Sequence, residues 1–342
     1  MITKIITLHD LNSPSATKAL QEAACLLNKG QLVAFPTETV YGLGANAKNA
    51  VACQGIFAAK GRPADNPLIV HIADMSMLYE LTEPTPLALQ LIRAFWPGPL
   101  TLVLSRRPTL PPIVSAGLPT VAIRWPAHKL AQALITAAAC PIAAPSANLS
   151  GRVSPTLASH VYEDLKGKIP LILDNGPVEI GLESTVVDVC HKIPLILRPG
   201  HIDEADIQAA CGLKALYPEK ESITRPPSPG MKYRHYAPQG ELHLANSLSE
   251  INRLRGHLKE KFGVEPLLIT TSQMAVLLPS DAIVLVIANN YDLPSYAHNL
   301  FAALRQADEA RFPALVVESV PEHGLGAAIM NRLRKAAANT ED

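Results

Sequence analysis

Cationic and hydroxyl-bearing residues recur in this chain at points where apolar runs end. Lys60 and Arg62 follow a predicted helix in a Lys-Gly-Arg-Pro turn, and Ser146 and Asn148 belong to a Pro-Ser-Ala-Asn turn that closes an apolar strand. Ammonium and guanidinium groups beside hydroxyls and amides are typical of sites that bind phosphates and carboxylates. These four residues are therefore predicted to line an anion-binding cleft, and they are the candidate catalytic residues.

Three similar groups end other apolar runs, namely Arg124, Arg198 and His71. Each residue taken alone has an ordinary structural explanation. A lysine before a glycine offsets a helix dipole, and serine-rich turns are common. In open α/β sheets, however, ligands bind where loops gather beyond the strand ends. The repeated combination of cation, hydroxyl and proline-braced turn favours one shared site.

Gly42-Leu-Gly44 resembles the start of a dinucleotide-binding fingerprint, because it follows a predicted strand and Asp65 lies about 20 residues later. Residues 36–41 separate that strand from the first glycine, whereas the fingerprint requires a tight turn, so this interpretation is disfavoured. Gly324-Leu-Gly326 is interpreted as a helix start. The P-loop, zincin and nucleophile-elbow motifs do not occur in the sequence.

Helical and strand patterns alternate up to residue 214. One helix is predicted to follow the Ser13-Pro14 cap and to end at Gly30, and a second covers 48–59. Predicted strands are 32–35, 68–72, 100–104, 120–123, 142–144, 171–173, 185–189 and 195–197. Strands this numerous and clustered do not fit simple βαβ alternation, so we expect a mixed sheet with helices.

A proline-rich stretch at 215–240 precedes a more regular region. Predicted strands there are 241–244, 266–269, 282–286 and 314–317, and predicted helices lie near 248–262, 294–310 and 325–337. The expected organisation is a larger domain at 1–214, a linker at 215–240 and a small α/β domain with a parallel sheet at 241–342.

The composition excludes several classes of protein. Apolar residues make up 48% of the 342 residues and charged residues 18%, which argues against disorder. The formal net charge is zero, so no general grip on nucleic acid is indicated. The five cysteines form no C-x-x-C pair, which disfavours a zinc site or a disulfide framework. No apolar run has the length of a membrane span and no signal peptide is evident, so we expect a cytoplasmic protein.

Several segments of the sequence resemble the YrdC-like threonylcarbamoyl-AMP synthases. In the first domain they are PTETVYGLG at 36–44, KGRP at 60–63, PSAN at 145–148, SGRVSPT at 150–156, STVVD at 184–188 and RPG at 198–200. SPGMKYRHYAP at 228–238 and GLGAAIMNRL at 324–333 are similar to the longer, two-domain branch. The resemblance implies a YrdC-like mixed, twisted open sheet with helices and a smaller, Rossmann-like α/β domain after it.

The resemblance also implies an activity. Such enzymes make L-threonylcarbamoyl-adenylate and pyrophosphate from L-threonine, bicarbonate or CO2, and ATP, with Mg²⁺ bound through the ATP phosphates rather than by a dedicated protein site. The product would pass to the machinery that transfers the threonylcarbamoyl group to tRNA. Implied ATP-binding residues are Lys60, Arg62, Asn66, Thr120, Ser146, Ser154, Arg198 and Tyr236. Implied threonine-binding residues are Thr39, His71, Arg124, Ala144 and Ser184. Arg234, His235 and Tyr236 are expected to form a lid over the cleft.

Two alternatives remain open from the sequence. One is a module that binds structured RNA without catalysis, suggested by the basic residues Arg106, Arg107, Arg152, Lys166 and Lys168. The other is a carbamoyl-transfer maturation factor that shares the first domain. Those proteins carry added zinc-binding and acylphosphatase modules, and the absence of paired cysteines here disfavours them.

Overall fold

A computed structural model describes residues 1–218, 236–290 and 292–337. They form two compact units. The first unit holds most of the described residues up to 218. The second holds those from 236 onward, together with Gly151–Val153 and Ile180–Leu182. The expected division at 214 and 240 stays a prediction, because most of the expected linker lies outside the described residues.

The first unit contains ten strands among its described residues, and they form one mixed sheet. In chain order the strands are β1 (Lys4–Thr7), β2 (Val33–Pro36), β3 (Tyr41–Asn46), β4 (Ile69–His71), β5 (Leu100–Ser105), β6 (Thr120–Arg124), β7 (Ile142–Ala143), β8 (Leu171–Asp174), β9 (Thr185–Asp188) and β10 (Leu195–Arg198). Their order across the sheet is β1-β8-β2-β3-β7-β4-β6-β5-β9-β10. The predicted mixed sheet with helices is confirmed.

Seven α-helices and one 3-10 helix lie among the described residues of this unit. They are α1 (Pro14–Asn28), α2 (Ala50–Lys60), α3 (Met75–Leu81), α4 (Pro86–Phe95), the 3-10 helix Pro112–Ser115, α5 (Lys129–Ala138), α6 (Ala158–Leu165) and α7 (Glu204–Cys211). The two helices predicted from sequence, α1 and α2, are confirmed. Ser13 caps α1 by accepting the Ala16 N–H, and α2 ends at Gly61 in the left-handed conformation that glycine adopts without strain.

The two faces of the sheet bury different residues, because successive side chains of a strand point to opposite faces. Val70, Ile123 and Leu102 are paired across β4, β6 and β5 and belong to the main core, with residues of α2 and α4. The alternate residues Ile69 and Ala122 form a separate small buried cluster with Val103 and Val186 on the opposite face. That second face is the one on which the polar residues of these strands lie.

Strand β3 was not predicted, and it contains the Gly42-Leu-Gly44 pair. It forms an antiparallel hairpin with β2, in which Phe35 pairs with Gly42. A Cβ atom at Gly44 would lie 2.8 Å from both Phe35 Cε1 and Ile142 Cγ2. The glycines are therefore explained by close packing of neighbouring strands rather than by a phosphate loop, and residues 37–40 form the hairpin loop.

The second unit contains a four-stranded parallel sheet among its described residues. Its strands are β11 (Glu241–Ala245), β12 (Leu267–Thr271), β13 (Ile283–Ala288) and β14 (Ala314–Glu318), in the order β11-β14-β12-β13. Its helices are α8 (Leu248–Phe262), α9 (Ser272–Ala275), α10 (Leu293–Glu309) and α11 (Leu325–Ala337). The predicted small parallel α/β domain is confirmed. Among the described residues, no helix has the length and apolarity needed to cross a lipid bilayer.

Replacing Gly44 with alanine should destabilise the first unit. The added methyl group would overpack the β2–β3–β7 contact, where such changes cost about 1–3 kcal/mol. Gly55→Ala is the matched control, because a Cβ at Gly55 in α2 meets Leu32 Cδ2 at an ordinary 3.7 Å. That control should be neutral or stabilising by up to about 1 kcal/mol through helix propensity. Calorimetric unfolding of both variants measures the difference, and equal stabilities would contradict the packing explanation.

Candidate active site

The sheet register brings the predicted site residues of β4 and β6 onto one face. His71 pairs with Arg124, and Thr101 of β5 pairs with the same arginine. Thr120 lies on this face four residues before Arg124, a separation of about 13 Å along the strand. Ala144 follows Ile142, the partner of His71, by two residues and so faces the same way. The face therefore has an Arg124 end and a Thr120 end.

Arg124 is a buried cation held by two separate parts of the chain, the β2–β3 loop and the turn before β5. Its side chain is 4% exposed. One guanidinium nitrogen lies 2.8 Å from Glu38 Oε1, Nη1 donates to Thr39 Oγ1 at 2.8 Å, and Nε donates to the Gly98 carbonyl at 3.3 Å. These contacts engage at most three of its five N–H groups. The remaining N–H groups of the two terminal nitrogens can still bind a carboxylate.

The β2–β3 loop presents Glu38 and Thr39 through hydrogen bonds of Thr37. The Thr37 hydroxyl donates to the Val40 carbonyl at 2.7 Å and accepts from the Thr39 N–H at 3.2 Å. Because the Thr37 proton is used in this way, the Thr39 hydroxyl donates to Thr37 at 2.8 Å and accepts from Arg124. The loop is buried, and its conformation is tied directly to the arginine.

Glu38 and His71, which both lie beside Arg124, differ in their ionisation state. Burial alone would raise the pKa of Glu38, but the Arg124 charge and the Ala127 N–H, at 3.1 Å, outweigh it and lower this pKa below 4.5. Burial and then the Arg124 charge lower the pKa of His71 to about 3. Glu38 is therefore ionised and His71 neutral near pH 7. His71 packs its ring edge-on against Phe35, and its Nδ1 makes no hydrogen bond within the described residues.

Ser184 and Arg198 contact each other where β9 begins and β10 ends, beyond β5 in the sheet order. Ser184 Oγ lies 2.8 Å from Thr101 Oγ1 and accepts from Arg198 Nη2 at 3.1 Å. The same guanidinium donates to the Ser184 carbonyl through Nε and Nη2. A Cβ at Gly200 would lie 2.3 Å from the Thr185 nitrogen, so the Arg-Pro-Gly turn packs directly on the start of β9. Ser184, which is predicted to bind threonine, and Arg198, which is predicted to bind ATP, are thus direct neighbours.

Lys60 is buried at the end of α2 and holds the Pro-Ser-Ala-Asn turn. Its ammonium donates to the carbonyls of Ser146 and Asn148, and to Asn148 Oδ1 at 3.3 Å. The Ser146 hydroxyl donates to the same Oδ1 at 2.6 Å. The turn also continues the sheet, because the Leu43 N–H donates to the Pro145 carbonyl. Three of the four candidate catalytic residues therefore form one hydrogen-bonded cluster.

The fourth candidate, Arg62, lies near the Thr120 end of the face. Its Nη2 donates to the Asn66 carbonyl at 3.3 Å and to the Pro67 carbonyl at 3.0 Å. Ile69 pairs with Ala122 in parallel strands, so residue 67, two positions before Ile69, is level with Thr120. The register of β7 likewise puts Ser146 at this level, because Val70 pairs with Ala143. Arg62, Asn66, Thr120 and Ser146 are brought to the same end of the sheet face.

The other predicted residues have defined surroundings. Ser154 is 1% exposed and donates to Glu183 Oε1 at 2.6 Å. The Ala144 N–H is used by the Ile69 carbonyl. Tyr236 belongs to the second unit, where it stacks on Phe301 at 5.4 Å and lies under the Arg332 guanidinium. Arg234 and His235 lie outside the described residues, so the lid stays a prediction.

Glu38, Thr101 and Glu183 were not predicted as site residues. Glu38 stands inside the PTETVYGLG segment, next to the predicted Thr39, and an acidic residue flanked by two threonines was the available sequence signal. The place of Thr101 in the site follows only from its pairing with Arg124 in the sheet, and that of Glu183 only from its hydrogen bond with Ser154. The described residues contain no cluster of three or more His, Cys, Asp or Glu side chains able to hold a metal ion.

Comparison with known proteins covers nearly the whole chain. A family model described as "Telomere recombination" matches residues 25–200, and one described as "Threonylcarbamoyl-AMP synthase, C-terminal domain" matches 202–338. The threonylcarbamoyl-AMP synthase of Bacillus subtilis is 49% identical, covering 93% of this chain and 92% of the relative. That of Pyrococcus abyssi is 44% identical, covering 92% and 93%. The crystal structure of P. abyssi Sua5 complexed with L-threonine aligns with a TM-score of 0.89 at 42% identity, covering 99% and 98%.

The neutral state of buried His71 should make folding depend on pH. Its pKa is about 3 in the fold against an ordinary 6.5, so its contribution is complete above pH 6.5 and is lost as the pH falls toward 3. Between pH 6.5 and 5 the loss should be about 2 kcal/mol, at ~1.4 kcal/mol per unit. His71→Gln removes this titration. Because burial also lowers the pKa of His128, the measurement is the difference in Tm between wild type and variant across this range. Parallel curves would contradict the assignment.

Proposed function

Since this chain belongs to the threonylcarbamoyl-AMP synthase family, we propose that it joins L-threonine, bicarbonate or CO2, and ATP into L-threonylcarbamoyl-adenylate and pyrophosphate. The observation that carries the proposal is the single sheet face with Arg124 at one end and the Arg62–Thr120–Ser146 group at the other. The first end suits an amino acid and the second a phosphate chain. A relative solved with L-threonine supports the amino-acid assignment.

At the Arg124 end, the spare N–H groups of the guanidinium bind the threonine carboxylate. Thr39, His71 and Ser184 surround this position with hydroxyl and ring-nitrogen groups, and the Ala144 backbone forms its edge. Neutral His71 accepts or donates one hydrogen bond without adding a second positive charge beside Arg124. Such a site recognises the hydroxyl group of threonine by hydrogen bonding, in addition to the shape of its side chain.

The reaction needs no protein nucleophile. The neutral threonine amine attacks CO2, a C–N bond forms as one C–O π bond breaks, and the nitrogen passes a proton to water to give a carbamate. A carbamate oxygen then attacks the α-phosphorus of ATP, a P–O bond forms, and pyrophosphate leaves. The protein therefore acts by holding two anionic reactants together and by stabilising charge on the phosphates. Arg62, Asn66, Thr120, Ser146, Ser154 and Arg198 are the groups proposed to do this, with Lys60 supplying charge from beneath the Ser146–Asn148 turn.

Mg²⁺ belongs to the proposal as an ion carried by the triphosphate, where it would neutralise phosphate charge. Tyr236 is proposed to contact the nucleotide. The product would pass to the machinery that modifies tRNA. We also propose a cytoplasmic location, which agrees with five cysteines that are all free. Weak RNA contact remains part of the proposal, although Arg107 is paired with Glu83 and Arg106 donates to the Leu110 carbonyl.

Pyrophosphate release should require threonine, bicarbonate and ATP together. Lys60→Ala and Arg62→Ala should each lower the rate by roughly 10²–10³-fold, because each removes a charge that stabilises the transition state. Arg93→Ala removes an exposed cation of α4 and serves as the control, with unchanged turnover. A pyrophosphate-release assay measures all three variants. Wild-type rates in both Lys60→Ala and Arg62→Ala would refute the phosphate assignment.

The enzyme should reject valine, which has nearly the shape of threonine but lacks its hydroxyl. A site that hydrogen-bonds a substrate hydroxyl discriminates by about 10⁴–10⁵-fold, whereas an apolar pocket gives roughly 10². His71→Leu should bring the threonine-to-valine ratio of kcat/KM toward the lower value. Separate measurements of kcat/KM with each amino acid in the same assay give this ratio. An unchanged ratio in the variant would show that His71 does not contact the hydroxyl.

A further inference from the structure

Among the described residues, one carboxylate oxygen at the Arg124 end has no hydrogen-bond partner. Glu38 is 2% exposed, and both of its described contacts are made by Oε1, which receives the Arg124 ion pair at 2.8 Å and the Ala127 N–H at 3.1 Å. Oε2 is buried and accepts no hydrogen bond within the described residues. An unsatisfied buried polar atom is costly, and a charged one more so. This oxygen is therefore available to a ligand donor.

The charge of Glu38 determines which donor fits. The Arg124 charge and the Ala127 N–H, acting against burial, keep the pKa of this carboxyl below its ordinary value, so the group is ionised at neutral pH. Of the side chains around it, Arg124 already contacts Oε1, and Thr39 hydrogen-bonds Arg124 and Thr37. His71 and His128 also feel the charge of Glu38, but neither donates a hydrogen bond to Oε2. A cationic N–H group is the donor that best complements an ionised oxygen.

Arg124 and Glu38 together present a positive and a negative group side by side. An α-amino acid has the complementary arrangement, with a carboxylate and an amine on one carbon. The arginine keeps N–H groups on its two terminal nitrogens, and the glutamate keeps Oε2. Without a ligand, the two side chains neutralise each other. Binding of a zwitterion would leave both charges compensated.

We propose that Oε2 of Glu38 binds the α-amino group of the amino-acid substrate while Arg124 binds its carboxylate. This inference rests on the proposed function and extends it, because it assigns the reacting amine to a named atom. It makes Glu38 a residue that selects amino acids over hydroxy acids or plain carboxylic acids. The contact also holds the amine nitrogen in place. Glu38 itself is too weak a base to hold a proton taken from the amine at neutral pH.

The alternative is that Glu38 only holds Arg124 in place. The two roles differ in their effect on a ligand that lacks the amine. (3R)-Hydroxybutyrate retains the carboxylate, hydroxyl and methyl groups of L-threonine, so it reports on Arg124 without the amine contact. Glu38→Gln keeps the size of the side chain and an oxygen for the Ala127 N–H, and it removes the charge. Thr39→Val is the matched control, because Thr39 contacts Arg124 but carries no negative charge.

Isothermal titration calorimetry of the full chain with both ligands tests the proposal. Wild type should bind L-threonine at least 100-fold more tightly than (3R)-hydroxybutyrate. Glu38→Gln should reduce this preference at least tenfold, mainly by weakening threonine binding. Thr39→Val should weaken both ligands and leave their ratio unchanged. If Glu38→Gln weakens both ligands equally, Glu38 only positions Arg124 and the proposal is overturned.

Two further outcomes separate this inference from the proposed function. A wild-type preference below tenfold overturns the role of Glu38 without any variant, so the test survives if Glu38→Gln does not fold. If wild type releases pyrophosphate with threonine, bicarbonate and ATP but shows no such preference, only the Glu38 assignment fails. If wild type neither binds threonine nor releases pyrophosphate, the proposed function and the Glu38 assignment fail together.

Discussion

The buried guanidinium of Arg124 imposes the strongest constraint on the first unit. A charge removed from water must be paired and hydrogen-bonded, and here the partners come from the β2–β3 loop and the turn before β5. Removing any one partner would leave a buried charge partly uncompensated. The loop that carries Glu38 and Thr39 therefore has the conformation that Arg124 requires, and the Thr37 hydrogen bonds complete it.

A second buried cation organises the other end in the same way. Lys60 ends α2, and its ammonium group gathers the carbonyls of the Ser146–Asn148 turn. The turn is also an extension of the sheet, bonded to β3 through Leu43 and Ala147. The end of α2 is thereby tied to the middle of the sheet. Because both cations are committed to protein oxygens, they influence a ligand through their field and through the loops they fix, in addition to any direct contact.

Much of this arrangement could be predicted from sequence, for physical reasons that differ between elements. Strands β4, β5 and β6 are apolar runs bounded by turn residues, and the cations that follow them are visible. Strand β3 was missed because two of its six residues are glycines, which lack strand propensity. Gly44 is required here by the Phe35 and Ile142 contacts. Helices α3 to α7 have seven to ten residues, too few turns for a clear periodicity. Pairings such as Ser154 with Glu183 depend on the sheet order and have no local signal.

The separation of the two ends follows from strand geometry, and it suits the chemistry. Residues on one face of a strand repeat every two positions, so Thr120, Ala122 and Arg124 form a row with an apolar residue in the middle. Ala122 belongs to a small buried cluster with Ile69, Val103 and Val186, which gives the row an apolar floor. An amino acid held at one end and a triphosphate at the other would meet above this floor. A site of low polarity there strengthens the electrostatic contacts at both ends and disfavours water as a competing nucleophile. In the proposed reaction, the fold would thus act by positioning the reactants rather than through a reactive side chain.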